Sequence, residues 1–95
     1  MSRLTDARRE LRAALAALTA APEAERVSRQ ETVNDLRGEI AYLVPLYVRR
    51  YQAAMAFRTA EQAHAVAGTD ATYEAASAAY RAHCEAIVAV DREQS

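Results

Sequence analysis

The spacing of apolar residues near the N-terminus predicts a first helix over residues 3 to 20. An apolar side chain recurs there at every third or fourth position, which places these side chains along one face of an α-helix. The members of this stripe are Leu4, Ala7, Leu11, Ala14, Leu15 and Leu18. Pro22 follows in a short charged segment, and we therefore expect the first connection there.

A longer apolar stripe predicts a second helix over residues 29 to 67. Ser28 and Glu31 form a Ser-x-x-Glu capping box, in which the serine oxygen accepts a hydrogen bond from the Glu31 amide while the glutamate reaches back. We therefore expect Ser28 to be the N-cap of this helix. The stripe consists of Val33, Leu36, Ile40, Leu43, Val44, Tyr47, Val48, Tyr51, Ala54, Met55, Ala65 and Val66.

Pro45 lies in the middle of this stripe and leaves two interpretations open. Proline removes one backbone hydrogen bond from a helix and clashes with the preceding turn, which costs about 3 kcal/mol. The stripe nevertheless keeps its phase across Pro45, and no Gly, Asn, Asp or Ser beside it offers a turn or a new N-cap. We therefore predict one continuous helix that is kinked at Pro45. The alternative is a break near Val44, which would give a four-helix bundle.

The segment Ala-Gly-Thr-Asp at residues 67 to 70 predicts a sharp turn. Gly68 suits the left-handed conformation that ends many helices, and Thr69 or Asp70 can cap the next one. A third helix then covers residues 71 to 92 and runs antiparallel to the second. We expect these two helices to pack through seams of small residues. The seams are Ala53, Ala56, Ala60, Ala63 and Ala67 on the second helix, and Ala75, Ala79, Ala82, Ala86 and Ala89 on the third.

These elements predict one all-α domain over residues 1 to 95, with the first helix along the front half of the second and the third along its rear half. Each half is then a two-helix hairpin, which cannot enclose a core. Alanine supplies about a quarter of the chain, so large apolar side chains are few. We therefore expect a homo-oligomer, a dimer or higher, that completes the hairpins. The four-helix alternative could be a monomer.

Composition excludes few classes of function. The net charge is −1 and the pI is about 6.1, which gives no general argument for nucleic acid or an anionic membrane as partner. No segment approaches the roughly 20 apolar residues of a membrane span. The lone Cys84 cannot form an internal disulfide, which fits a reducing compartment. We therefore expect a cytoplasmic protein without a membrane partner.

Two local patterns suggest chemistry, although no catalytic or cofactor motif is present. Glu61 and His64 have the Glu-x-x-His spacing of di-iron carboxylate bundles. A full site would need a second chain, with Glu31 or Glu39 as added ligands, and would make the protein a small, ferritin-like metal-binding bundle. The simpler interpretation is a structural histidine or a solvated pair, so we assign no metal, cofactor or catalytic residue.

The second pattern is a basic edge on the first helix, formed by Arg8, Arg9 and Arg12. It suggests a nucleic-acid-associated regulator as an alternative function. Such a protein normally has more positive charge and a second basic element, and neither is evident in the sequence. The simpler interpretation is a solvated helix face.

Polar residues on the long stripe favour a binding function. Arg58 and Gln62 occupy positions where apolar residues are expected, and polar residues on such seams often determine register or partner choice. Tyrosines suit protein interfaces. We therefore expect a non-enzymatic interaction or assembly protein that binds itself and another protein, as an adaptor, a regulatory subunit or a structural component such as that of a phage particle. The predicted interface residues are Tyr47, Tyr51, Met55, Arg58, Gln62, Tyr73, Tyr80 and Ile87.

Overall fold

A computed structural model describes residues 2–94, and within them the chain forms three α-helices and no strand. Helix α1 is Arg3–Ala20, α2 is Arg26–Ala67 and α3 is Asp70–Gln94. A 3₁₀ turn at Glu23–Glu25 leads into α2. The predicted all-α fold of three helices is confirmed.

The start of α2 differs from the prediction. The helix begins at Arg26, so Ser28 lies inside it and the predicted N-cap at Ser28 is wrong. Pro22 has an extended backbone and its carbonyl accepts from the Glu25 amide at 2.9 Å. This 3₁₀ turn passes directly into α2, because Arg26 already has helical dihedral angles. The turn that follows Pro22 therefore initiates the helix before the chain reaches the capping box at Ser28.

Helix α2 runs through Pro45 without interruption. The prediction of one continuous helix is therefore confirmed, and the alternative with a break near Val44 is wrong. The side chain of Pro45 is exposed, so its ring meets solvent while the helix loses one backbone donor. A kink at this position stays a prediction.

The turn between α2 and α3 has the predicted chemistry. Gly68 has a φ of 62°, and its amide donates to the His64 carbonyl at 2.8 Å. Thr69 is the cap of α3: its Oγ1 accepts from the Thr72 amide at 3.2 Å, and Thr72 Oγ1 accepts from the Thr69 amide at 3.0 Å. This reciprocal pair satisfies two amides that the helix would otherwise leave without partners.

The chain divides into two compact units, Met1–Val44 (unit 1) and Pro45–Ser95 (unit 2). Unit 1 pairs α1 with the front part of α2. Its buried side chains are spaced by three and four residues along each helix, which defines a seam between the two helices. The buried members are Leu4, Ala7, Ala21, Val33 and Leu43, and Leu11, Ala14, Leu18, Leu36 and Ile40 are half-buried.

Arg3 connects the two helices of unit 1 through an ion pair. Arg3 Nε donates to Glu39 Oε1, and Arg3 Nη2 donates to Glu39 Oε2 at 2.6 Å. The same guanidinium also donates to both carboxylate oxygens of Glu10 at 3.2 Å. The hydrogen bond from Arg3 holds the pKa of Glu39 below its ordinary value, although partial desolvation opposes this shift.

Unit 2 pairs the rear part of α2 with α3 around a different seam from the predicted one. Phe57 lies at its centre: its ring centroid is 5.3 Å from that of Tyr80 and 5.8 Å from that of His83. The seam is formed by Arg50, Ala53, Phe57, Ala60 and His64 on α2, and by Ala76, Ala79, His83, Ala86 and Val90 on α3.

The predicted seams of alanines are therefore only partly correct. Ala53, Ala60, Ala79, Ala86 and Ala89 are at least half-buried. The other predicted members, Ala56, Ala63, Ala67, Ala75 and Ala82, are exposed. The reason is area: burial of one phenyl ring removes far more apolar surface from water than burial of an alanine, so α2 turns Phe57 towards α3.

Candidate functional site

Large apolar side chains lie at the surface of unit 2 and form what we call the aromatic face. On α2 they recur at three- and four-residue spacing, and on α3 they lie beside the seam residues. Bulky residues of this kind are usually packed inside a protein or an interface. The aromatic face consists of Val48, Tyr51 and Met55 on α2, and Tyr73, Tyr80 and Val88 on α3.

The two helices present the three tyrosines of the aromatic face on one side of unit 2, whereas Val48, Met55 and Val88 point away from the seam. Antiparallel helices are related by a two-fold axis perpendicular to the plane that contains them, so equivalent positions of the two helices lie on one side. Tyr51 directly follows the seam residue Arg50, and Tyr80 directly follows the seam residue Ala79. Both tyrosines therefore point to the side of unit 2 to which the residue after each seam residue points. We call this the side that follows the seam.

Exposure is large for the main members of the aromatic face. Tyr51 is 68%, Tyr73 62%, Tyr80 54% and Met55 43% exposed. The Tyr80 hydroxyl lies beside the Cys84 thiol one turn later, and this contact raises the pKa of Tyr80 above its ordinary value. The face is thus apolar in area and has phenol hydroxyls at its surface, which is the composition of many protein interfaces.

The structure places the predicted interface residues as follows. Tyr51, Met55, Arg58, Gln62, Tyr73 and Tyr80 are exposed, while Tyr47 and Ile87 are half-buried. The Tyr47 hydroxyl donates to Gln94 Oε1 at 3.4 Å, and the Arg50 guanidinium lies 5.0 Å from the Tyr47 ring centroid. Tyr47 therefore already has partners inside unit 2. Contact of these residues with a partner stays a prediction.

A groove of about 410 Å³ opens on the side of unit 2 that follows the seam. Its floor is Phe57, and Tyr73 and Tyr80 line its α3 wall. Glu61 and Arg81 bring opposite charges to its rim. Because the groove contains residues from both helices, it confirms that their following positions share one side.

His64 lies in this groove but is engaged by the turn. Its Nδ1 is 2.9 Å from Thr72 Oγ1, and the Tyr73 ring meets the imidazole edge at 5.7 Å between centroids. A structural histidine is the simpler of the interpretations that the sequence offers for His64, but its partner Thr72 was not predicted. The sequence signal for this contact is a histidine four residues before the glycine of the turn, with a threonine at the third position of the next helix.

The candidate metal ligands are not brought together in one chain. Among residues 2–94, no group of three or more His, Cys, Asp or Glu side chains could hold a metal ion. Glu61 and His64 share the groove, whereas Glu39 is engaged by Arg3 and Glu31 lines a separate groove with Leu18 in unit 1. A site on Glu61 and His64 would need ligands from another chain.

The predicted basic edge of α1 is exposed along its length. Arg8, Arg9 and Arg12 are all at the surface. Arg9 Nη2 donates to Asp6 Oδ1 at 2.9 Å, so its charge is balanced locally. The edge thus retains two arginines, Arg8 and Arg12, that have no acidic partner among the described residues.

No protein-family model matches this chain, and neither a curated protein nor a solved structure matches it significantly. Within the described residues, no helix combines the length and apolarity required to cross a membrane.

Proposed function

We propose that this protein is a non-enzymatic helical interaction protein that assembles with a second copy of itself through the aromatic face. The observation that carries the proposal is the mismatch between buried and exposed apolar side chains in unit 2. Within the described part of unit 2, only Ala86 and Val90 are buried, whereas the larger side chains of the aromatic face lie at the surface. Two helices cannot enclose a core, and association of two hairpins into four helices is the usual solution.

The exposed area supports association of two copies. At about 150–200 Å² for a fully exposed tyrosine, Tyr51, Tyr73 and Tyr80 offer roughly 300 Å² on one side of unit 2, against about 800 Å² per partner in a standard interface. Burial of the groove beside them, which Phe57, Glu61 and Arg81 also line, would add to this area.

Polar groups beside the aromatic face support a specific register. Arg58 and Gln62 are exposed and make no hydrogen bond or ion pair with another described residue. Glu61, on the rim of the groove, is likewise exposed. In a two-fold interface the same patch meets itself, which lets Arg58 of each copy pair with Glu61 of the other. Such a pair contributes more to register than to affinity.

The experiment that tests the proposal is sedimentation equilibrium over micromolar concentrations, with Tyr51→Glu as the main variant. The wild type is expected to be a dimer or a higher oligomer, and Tyr51→Glu is expected to be a monomer. Since Tyr51 is mostly exposed within one chain, this substitution removes little internal packing. Any loss of helix content that accompanies dissociation of this variant is therefore caused by loss of the interface and not by loss of packing within one chain.

Tyr42→Glu is the matched control, because Tyr42 is an exposed tyrosine of the same helix in unit 1. It should leave the oligomer intact. A wild-type chain that stays monomeric overturns the proposal. Equal dissociation by the two variants would overturn the assignment to the aromatic face.

A further inference from the structure

Unit 1 contains a basic face that the sequence alone does not reveal. Arg8 follows the seam residue Ala7, Arg12 follows Leu11, and on α2 Arg37 follows Leu36. By the two-fold relation between antiparallel helices, all three arginines point to the same side of unit 1. The Arg3–Glu39 ion pair joins the residues that precede Leu4 and Ile40, and therefore marks the opposite side.

The register of the two helices brings these arginines close together. Since Glu39 meets Arg3, Arg37 lies across from the part of α1 between residues 5 and 9, which contains Arg8. Neighbouring helix axes are about 8–10 Å apart, and Arg12 is one turn, or about 6 Å, further along α1. Arg37 is thus the second basic element that α1 lacks by itself.

The positive charges of the three arginines are available to a ligand. All are exposed, and none makes a hydrogen bond or an ion pair with another residue among 2–94. The acidic residues Asp6, Glu10 and Glu39 are engaged by arginines on other parts of the surface. Glu31 lines a groove with Leu18 at the far end of unit 1, and Glu23, Glu25 and Asp35 are the other exposed acidic residues of this unit.

We propose that this basic face, formed by Arg8, Arg12 and Arg37, binds the phosphate backbone of duplex nucleic acid without reading its sequence. This inference goes beyond the proposed assembly function and rests on a different unit of the chain. Guanidinium groups bind phosphate oxygens in a bidentate manner. The polar neighbours on this side are also residue types that commonly contact phosphates. They are Thr5, Thr19, Gln30 and Asn34.

The composition of the face favours a duplex over a single strand of nucleic acid. Single strands are held by aromatic side chains that stack on the bases, and the following side of unit 1 has no aromatic residue. Leu15 follows the seam residue Ala14 and is 37% exposed on the same side, so an acidic protein segment with an apolar anchor is the competing ligand that the test below distinguishes from a duplex. Phosphate contacts need neither feature.

The test is fluorescence anisotropy of a labelled duplex of arbitrary sequence, about two helical turns long, with the intact protein. The main variant is Arg8→Gln with Arg37→Gln, because these two residues face each other. The matched control is Arg49→Gln with Arg92→Gln in unit 2, which changes the net charge by the same amount. Circular dichroism and sedimentation check that both variants keep the helix content and assembly state of the wild type.

The wild type should bind the duplex at about 50 mM salt and lose affinity steeply towards 200 mM, with a log–log slope of about −3 per chain. The main variant should bind at least about tenfold more weakly at low salt, and its slope should be shallower by about 2 units. The control should stay within about twofold of the wild type. This result can be obtained whether or not the aromatic face mediates assembly.

Three results would overturn the proposal. The first is a wild-type protein that does not bind the duplex at low salt. The second is an equal loss of affinity in the two double variants, since binding would then follow net charge alone. The third is equal competition, charge for charge, by polyglutamate and by unlabelled duplex, which would identify an acidic protein segment as the ligand.

Discussion

Replacement of Pro45 by alanine should stabilise the protein, because α2 continues through this residue. Proline inside a helix is about 3 kcal/mol less favourable than alanine. Part of this difference is offset, because proline also restricts the unfolded chain, by about 0.4–1 kcal/mol. Pro45 and Ala41 are both exposed, so Pro45→Ala leaves no cavity and restores an amide that can donate to the Ala41 carbonyl. The expected net gain is about 2 kcal/mol.

A second substitution in the same helix calibrates this magnitude. Gly38 also lies inside α2, and a Cβ added there meets no atom within 4 Å. Gly38→Ala should therefore stabilise by helix propensity alone, by about 0.5–1 kcal/mol. At roughly 4–8 °C per kcal/mol for a domain of this size, the expected rise in Tm is about 10 °C for Pro45→Ala and about 5 °C for Gly38→Ala.

The measurement is thermal and urea unfolding followed by circular dichroism at one fixed protein concentration, because self-association makes Tm depend on concentration. The decisive quantity is the difference between the two variants. Proline is favourable at the first position of a helix, so if α2 were really two helices in solution, Pro45→Ala would be neutral or destabilising. A Pro45→Ala variant that is less stable than the wild type, beside a stabilised Gly38→Ala, would refute a continuous α2.

Two further predictions concern single side chains. Because Arg3 lowers the pKa of Glu39, their ion pair should stabilise the fold above the ordinary glutamate pKa and lose this effect as pH falls through the lowered value. Glu39→Gln should therefore flatten the acid limb of stability against pH in urea titrations, and the exposed Glu31→Gln should leave that limb unchanged. The Nδ1 atom of His83 is buried without a hydrogen-bond partner among the described residues, so His83→Leu should raise the free energy of unfolding by about 1 kcal/mol. A less stable His83→Leu variant would contradict this explanation, because either the stacking of His83 on Phe57 or a partner for that nitrogen in the assembled protein would then outweigh the unpaired atom.

The course of the helices could be predicted from local signals where one signal dominates. The apolar spacing of residues 3 to 20 has no competing pattern, and α1 has the predicted bounds. Gly68 and Thr69 likewise end one helix and cap the next as their conformational preferences require. At the start of α2 two signals compete, because Pro22 followed by acidic residues is itself typical of a helix N-terminus. The Ser28 capping box was the weaker of the two.

The candidate surfaces depend on how the helices are rotated against each other, which periodicity does not determine. In unit 2 the apolar stripe that contains Tyr51 and Met55 lies at the surface, because Phe57 occupies the seam. Arg37 could not be joined to Arg8 from the sequence, since their proximity depends on the register that the Arg3–Glu39 contact reveals. Contacts of this kind connect residues far apart in the chain and have no local signature.

The uneven distribution of buried side chains should affect how fast the chain is degraded in a cell. Unit 1 has five buried residues among those described, and unit 2 has two. Local opening follows the density of buried apolar contacts, so α3 should exchange its amide hydrogens and admit proteases sooner than α1 whenever its exposed face is uncovered. If another copy covers that face, proteases would degrade unassembled chains before assembled ones. The cellular level of the protein would then be limited to the amount that can assemble.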